Sequence, residues 1–246
     1  MTERQPSRGL QGTLVRLFRG DDYTLTVTGR TEISPHYLRL HFDSGNLLAE
    51  RRVHPTMWLR GWFPDGDTAH QRGYTLVNPD AAARSVDIDF AIHDGIAARW
   101  ATHAHAGDTL EVTVLGSSFS LPTPDPAGWI IVGDTASLPA INSLLAAIGD
   151  VPARVFLEAA HEDDKTLPVA GSAEVTWVDR KNDGESLVEA GCSSAFDAPD
   201  HFGWVASDNR TTRTLAKVLR EEFAIPRKSI KAQAYWVSSR PIPCGA

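Results

Sequence analysis

The feature that most constrains this fold is a change of hydrophobic pattern at Thr123-Pro124-Asp125-Pro126. Ahead of it, apolar and polar residues alternate in short runs: Tyr23 to Thr28, Tyr37 to Phe42, Thr56 to Phe63, a segment around Arg72, Ser85 to His93, and Thr109 to Val114. Period-two alternation rich in β-branched residues is the mark of half-buried strands. The turn signals Pro64-Asp65-Gly66-Asp67, Asn78-Pro79-Asp80 and Gly107-Asp108 separate them. Six such strands with almost no helix between them predict a closed or partly closed antiparallel barrel. Behind the boundary, Trp129-Ile130-Ile131-Val132-Gly133 is continuously apolar, as in a parallel strand buried on both faces. Pro139 then opens a helix running through Leu145, and strands are expected at Arg154 to Ala159, Glu174 to Val178, His201 to Ala206 and Lys231 to Val237, with a helix from Thr211 to Phe223. The fold class is therefore β + α/β: an antiparallel barrel over residues 1–123 and a parallel-sheet α/β domain over 124–246. A chain of 246 residues suffices for two cores of this size. Residues 1–20 are expected to form a poorly ordered lead.

Within the barrel, Arg72-Gly73-Tyr74-Thr75-Leu76-Val77 sets a guanidinium and a phenol on one side of a strand and a hydroxyl on the other. An arginine fork suits a phosphate, and an aromatic face suits a flat ring. A short helix from Gly95 to Thr102 follows the His93 strand and opens on small residues, so its first amides can receive an anion or simply plug the barrel end. In the second half, a parallel sheet places its ligands at the strands' carboxyl ends, near Gly133-Asp134 and Ala206-Ser207-Asp208. No Gly-x-Gly-x-x-Gly occurs, so this is not the ordinary dinucleotide fingerprint.

Charge and composition narrow the partners. A net charge of −7 argues against general nucleic-acid or anionic-membrane binding, and any anionic ligand must meet a local basic patch. Cys192 and Cys244 are too few for a disulfide framework or a cysteine metal site. The nine histidines are scattered and read as surface residues, with no metal site expected. Neither a secretory signal nor an apolar run near a membrane span is apparent in the sequence.

The series Arg72-Gly73-Tyr74-Thr75, Asp89-Phe90-Ala91-Ile92-His93, Ala97-Ala98-Arg99-Trp100-Ala101, Gly107-Asp108, Val132-Gly133-Asp134, Leu138-Pro139-Ala140-Ile141 and Tyr235-Trp236 resembles the siderophore-interacting protein family, within the ferredoxin-reductase-like flavoproteins. The resemblance runs through nearly the whole chain in order. It implies an FAD-dependent ferric-siderophore reductase of the bacterial cytoplasm, with NADPH or NADH as electron donor and a monomer favoured. It further implies that Arg72, Gly73, Tyr74, Thr75, Asp89, Ile92, His93, Gly95, Ala97, Ala98 and Trp100 hold FAD, with Thr75 near the reactive flavin nitrogen. Asp134, Thr135, Ser137, Ser207, Asp208 and Trp236 would serve the nicotinamide nucleotide. Arg180 is the candidate for a 2′-phosphate, and Lys231 with Arg240 for drawing in an anionic ferric siderophore. The chain departs from the family pattern at Val77, where an Arg is usual, at Ala98, and around Gly133-Asp134-Thr135-Ala136-Ser137 and Ala206-Ser207-Asp208. These departures bear on nicotinamide binding more than on flavin binding. Two alternatives stay open: a flavin-holding, siderophore-binding module with little nicotinamide use, and a flavin reductase of another small acceptor such as a quinone.

Overall fold

A computed structural model describes Arg8, residues 21–182 and residues 184–237. The expected lead over residues 1–20, Arg8 apart, lies outside the described residues, as does Arg240. The chain divides between Ser120 and Leu121 into two compact units.

The first unit is an antiparallel sheet of seven strands: β1 (Asp21–Ser34), β2 (Tyr37–Asp43), β3 (Trp58–Asp65), β4 (Thr68–Thr75), β5 (Val77–Asp80), β6 (Ser85–Ala91) and β7 (Thr109–Val114). Their order is β4-β3-β7-β1-β2-β6-β5. The two edge strands, β4 and β5, are consecutive in the chain and separated only by Leu76, so the sheet must curl into a half-barrel whose seam lies at that residue. Alternation builds the core. Leu38, Leu40 and Phe42 of β2 and Val86, Ile88 and Phe90 of β6 all point inward and are buried. Each such burial is worth about 1.5–3 kcal/mol, so Phe90→Ala is the kind of change that would open this core. Helix α1 (Leu47–Glu50) buries Leu47 and Leu48, and α2 (Ile96–His103) buries Ala97, Ala98 and Ala101.

Two expectations are corrected here. Asn78-Pro79-Asp80 belongs to edge strand β5, where Val77 pairs with Asp87 and Asp80 with Ser85 around an irregularity. An edge tolerates Pro79 because no ladder donor is needed there. The turn follows one step later, with Asp80 Oδ1 accepting from the amides of Ala82 and Ala83 at 2.8 and 2.9 Å. Strand β6 stops at Ala91, leaving His93 in the loop that leads to α2.

The second unit is a parallel sheet of β8 (Trp129–Asp134), β9 (Ala153–Ala159), β10 (Glu174–Asp179), β11 (Phe202–Ala206) and β12 (Ile230–Ala232), in the order β10-β9-β8-β11-β12. Central β8 is buried at all six positions, as its unbroken apolar run demands. Helices α3 (Leu138–Ile148), α4 (Glu185–Ser193) and α5 (Asn209–Glu221) cover it, with Pro139 in the first turn of α3. The last strand is shorter than expected. Beyond Ala232 the chain still follows β11, through Gln233 N–H to the Val205 carbonyl (2.9 Å), Tyr235 N–H to the Ser207 carbonyl (2.9 Å) and a bridge between Asp208 and Trp236. Helix α4 is not legible in the sequence because only Leu187 and Gly191 of its nine residues are buried. Among the described residues, no helix is long and apolar enough to cross a membrane.

Candidate functional site

In the first unit, β4 pairs with β3 through Leu59↔Tyr74 and Gly61↔Arg72 and leaves its other edge free of ladder bonds. The Tyr74 ring packs inward on Phe63 (centroids 5.6 Å apart) and Phe90 (4.5 Å). Trp100 of α2 packs on Phe63 (5.5 Å), so one aromatic cluster ties the helix to the strand. Burial pushes the Tyr74 hydroxyl well above its ordinary value, so this ring stays neutral. Thr75, on the opposite face, is buried, and its Oγ1 has no hydrogen-bond partner. A buried hydroxyl left unpaired costs about 1–3 kcal/mol. Arg72 is exposed, and its one assigned bond runs from Nη1 to its neighbour's Gln71 carbonyl (2.7 Å).

The charge of this arginine is felt at His93. The imidazole's ordinary value is lowered by burial first and then by the charge of Arg72, against a smaller raising effect of Asp94. The ring is held by the Gly95 N–H, which donates to Nδ1 at 2.9 Å, so a neutral His93 carries its proton on Nε2. A Cβ at Gly95 would lie 2.1 Å from the ring, so the glycine is what lets the imidazole fold back. Of the small residues expected to hold the cofactor, Gly95 thus spends its amide on His93 in this structure. The amides of Ile96, Ala97 and Ala98 are first-turn donors without an acceptor inside the helix, whereas the Ala97 and Ala98 side chains are buried in the core. Asp89 is also committed elsewhere: its carboxylate accepts from Arg39 Nε (2.7 Å) and Nη2 (2.9 Å) across β2 and β6. Ile92 is partly buried and bonds through its N–H to the His36 carbonyl.

Arg72, an inward tyrosine ring, an orphaned threonine hydroxyl and open helix amides together fit a ligand that is a flat ring joined to a phosphate. That is the chemistry of a flavin nucleotide.

The second unit gathers its polar residues at the carboxyl ends of β8, β9 and β11, but ties them to one another. Asp134, fully buried, accepts from Ser207 Oγ (2.9 Å), Trp236 Nε1 (2.8 Å) and the Ser137 N–H (3.1 Å). Ser137 Oγ in turn accepts from the Asp134 N–H and donates to its carbonyl. Gly133 is required because a Cβ there would stand 2.2 Å from Ser137 Oγ and 3.0 Å from the Ala206 carbonyl. Asp208 caps α5, accepting from the amides of Arg210 (2.8 Å) and Thr211 (3.2 Å). Thr135 lies buried beside Asp134. Arg180 is not free for a 2′-phosphate as expected, because its Nε donates to Glu158 at 2.6 Å and its guanidinium lies over the Trp236 ring at 5.5 Å. Lys231, on β12, is partly buried and takes no part in this network.

Glu158 was missed from the sequence. It is buried with Oε1 unpartnered, and its carboxyl is raised by burial, with Asp134 and Asp208 adding to the rise and Arg180 opposing it. The signal was present as a lone acid closing the apolar run Val155-Phe156-Leu157.

Comparison with known proteins decides what these two units are. The family model for the siderophore-interacting FAD-binding domain matches residues 30–116, which contain β4 and α2, and that for siderophore-interacting protein matches 126–239. The chain belongs to the siderophore-interacting protein family. It is 36% identical over 244 residues to the mycobactin import ATP-binding/permease protein IrtA of Mycobacterium tuberculosis, covering 95% of this chain but 28% of that protein. It is 29% identical over 174 residues to the ferric vibriobactin reductase ViuB of Vibrio cholerae, covering 67% of this chain and 64% of ViuB. The chain thus spans less than two thirds of either relative. A siderophore utilization protein from T. fusca has the same fold, with a TM-score of 0.78 at 22% identity over 90% of this chain and 95% of the other. Ferredoxin reductases share it at TM-scores of 0.65 and 0.69, so the fold is ferredoxin-reductase-like.

Proposed function

We propose that this chain is a flavin-dependent reductase that takes electrons from NADPH or NADH and passes them through FAD to an Fe(III)-siderophore, releasing Fe(II) in a bacterial cytoplasm. The observation that carries the reading is the state of β4: Arg72 without a carboxylate partner and Thr75 Oγ1 buried and unbonded, on a strand within the FAD-binding family match. Arg72 would pair with the diphosphate as a planar fork, helped by the α2 amides. Tyr74 would pack against the ring system, and Thr75 would present its hydroxyl to the ring. Bound flavin supplies a group that accepts an electron pair and can release electrons singly, as Fe(III) requires. The chain's own part is to bind, orient and exclude water. The likeness to ViuB, named a ferric reductase, supports the acceptor class, and a ferredoxin reductase holding FAD and NADP supports the donor class.

The test is anaerobic. Purified protein loaded with FAD should bleach on adding NADPH or NADH and recover its colour on adding a ferric hydroxamate or catecholate, with Fe(II) captured by a chelating dye. Flavin that stays oxidised under both donors would remove the reductase reading. A second reading, a flavin-holding module with little nicotinamide use, is favoured by the closed network around Asp134, which leaves few free donors for a nucleotide. Bleaching by either donor would exclude it.

A further inference from the structure

Charge is distributed very unevenly in this chain. Residues 209–231 carry seven Lys or Arg against two Glu, a balance of +5, which leaves −12 on the remainder of a chain whose net charge is −7. This basic stretch borders a groove of about 640 Å³ between α5 and the edge strand β12. The residues at 209, 213, 216 and 220 lie on one face of the helix, and those at 230, 232 and 234 on one face of the strand and its extension. Alanines at 216, 232 and 234 line the groove and contribute no more than a methyl group each. Arg213, Arg220 and Arg227 are its exposed cationic lining. Arg220 is partly neutralised by Glu221 at 2.9 Å, while Arg213 and Arg227 are exposed and have no assigned partner among the described residues.

We infer that this groove is a binding site for a small ligand bearing a diphosphate. Two unpaired guanidinium forks each match the oxygens of one phosphoryl group, and the short side chains of Ala216, Ala232 and Ala234 in the same lining leave room for the body of the ligand. The volume lies within the range of small-molecule sites. The N-terminal amides of α5 are not the anchor, because Asp208 already caps those of Arg210 and Thr211. Nor is the groove the expected 2′-phosphate position. Arg180 follows β10, at the opposite edge of the sheet, and four strand spacings separate the two edges by roughly 19 Å.

Calorimetric titration with inorganic pyrophosphate tests the site. Saturable binding of one pyrophosphate per chain is expected, weakened about tenfold by Arg213→Ala and again by Arg227→Ala. Ala232→Trp, which puts a large side chain in the lining without changing charge, should abolish binding, whereas Lys217→Ala, on the same helix but outside the groove, should change it less than about twofold. The absence of saturable binding would overturn the site, and so would a loss in Lys217→Ala equal to that in Arg213→Ala, since diffuse surface charge would then suffice. Titrations repeated in saturating NADP+ should give the same affinity; displacement would make the groove part of the donor site and sink the proposal. Co-sedimentation with phosphatidylcholine vesicles containing a polyprenyl diphosphate separates the two sources of such a group. Retention that pyrophosphate competes away assigns a lipid headgroup, and no retention assigns a soluble ligand.

Discussion

The two units treat their polar groups in opposite ways. Along β4 and the start of α2, Arg72, Thr75 Oγ1 and the first helix amides have no strong partner within the fold. At the strand ends of the second unit, Asp134 bonds to Ser137, Ser207 and Trp236, and Arg180 bonds to Glu158, whose Oε1 is the one buried atom of the set left unpaired. An unsatisfied set gains from a ligand outright, whereas a satisfied set must give up bonds before it can offer any. On the proposed function, the first unit would gain bonds when it takes up its cofactor, whereas the second would have to open bonds to admit a nucleotide.

The largest effect that would break this contrast is at Asp134. Asp134→Ala would strand three donors at once, so we expect the second unit to lose about 3 kcal/mol or more in urea unfolding. A loss below about 1 kcal/mol would mean that the network is easily replaced by water and that the second unit is as open as the first. Next comes Arg72→Ala. Removing one charge-assisted fork should weaken FAD about 10- to 100-fold in a fluorescence titration. The apoprotein should melt unchanged, because the side chain supports only its neighbour's carbonyl. A variant that purifies fully yellow would refute the assignment.

Thr75→Val should move stability in the other direction from Asp134→Ala. It removes an unpaired buried hydroxyl at nearly constant shape, so the apoprotein is expected to gain up to about 1 kcal/mol. With FAD bound, the same change should slow flavin reduction by NADPH in stopped flow. Destabilised apoprotein would show that the hydroxyl already has a partner in solution, and the contrast between the units would narrow.

Much of this was legible in the sequence for physical reasons. Period-two alternation forces the β2 and β6 faces, and the unbroken run at 129–133 forces a central strand. The pair Arg72 and Tyr74 share a strand side by geometry alone. What escaped depends on contacts distant in sequence. Nothing local says that Asp89 is matched to Arg39 fifty residues earlier, or that Trp236 reaches back to Asp134. The fold-back of the His93 ring onto the Gly95 amide is likewise invisible to spacing. Arg180 looked like a free cation at a strand end because its partner, Glu158, sits on the neighbouring strand. Short elements with few buried residues, such as α4 and β5, carry too little pattern to be read.

The smallest effect, and the one that sharpens the comparison most, is the pH dependence contributed by Glu158. Its carboxyl is raised above the ordinary 4.5, chiefly by burial and then by Asp134 and Asp208, although Arg180 pulls the other way. A group whose folded value is raised holds its proton in the folded state where the unfolded chain has released it. Its stabilisation is complete below about the unfolded value and is lost as pH rises through the folded one. Glu158→Gln cannot titrate and lacks this loss. The variant leaves Arg180 without its carboxylate, which lowers its stability by an offset at every pH, so the difference between the two curves is what matters. Urea midpoints from about pH 4 to about pH 7 should show the variant gaining on the parent as pH rises. Parallel curves would mean that Glu158 titrates alike folded and unfolded. A variant that loses ground with rising pH would mean that the Arg180 pairing outweighs burial and that the strand end holds a fully formed ion pair, which a nucleotide would have to break.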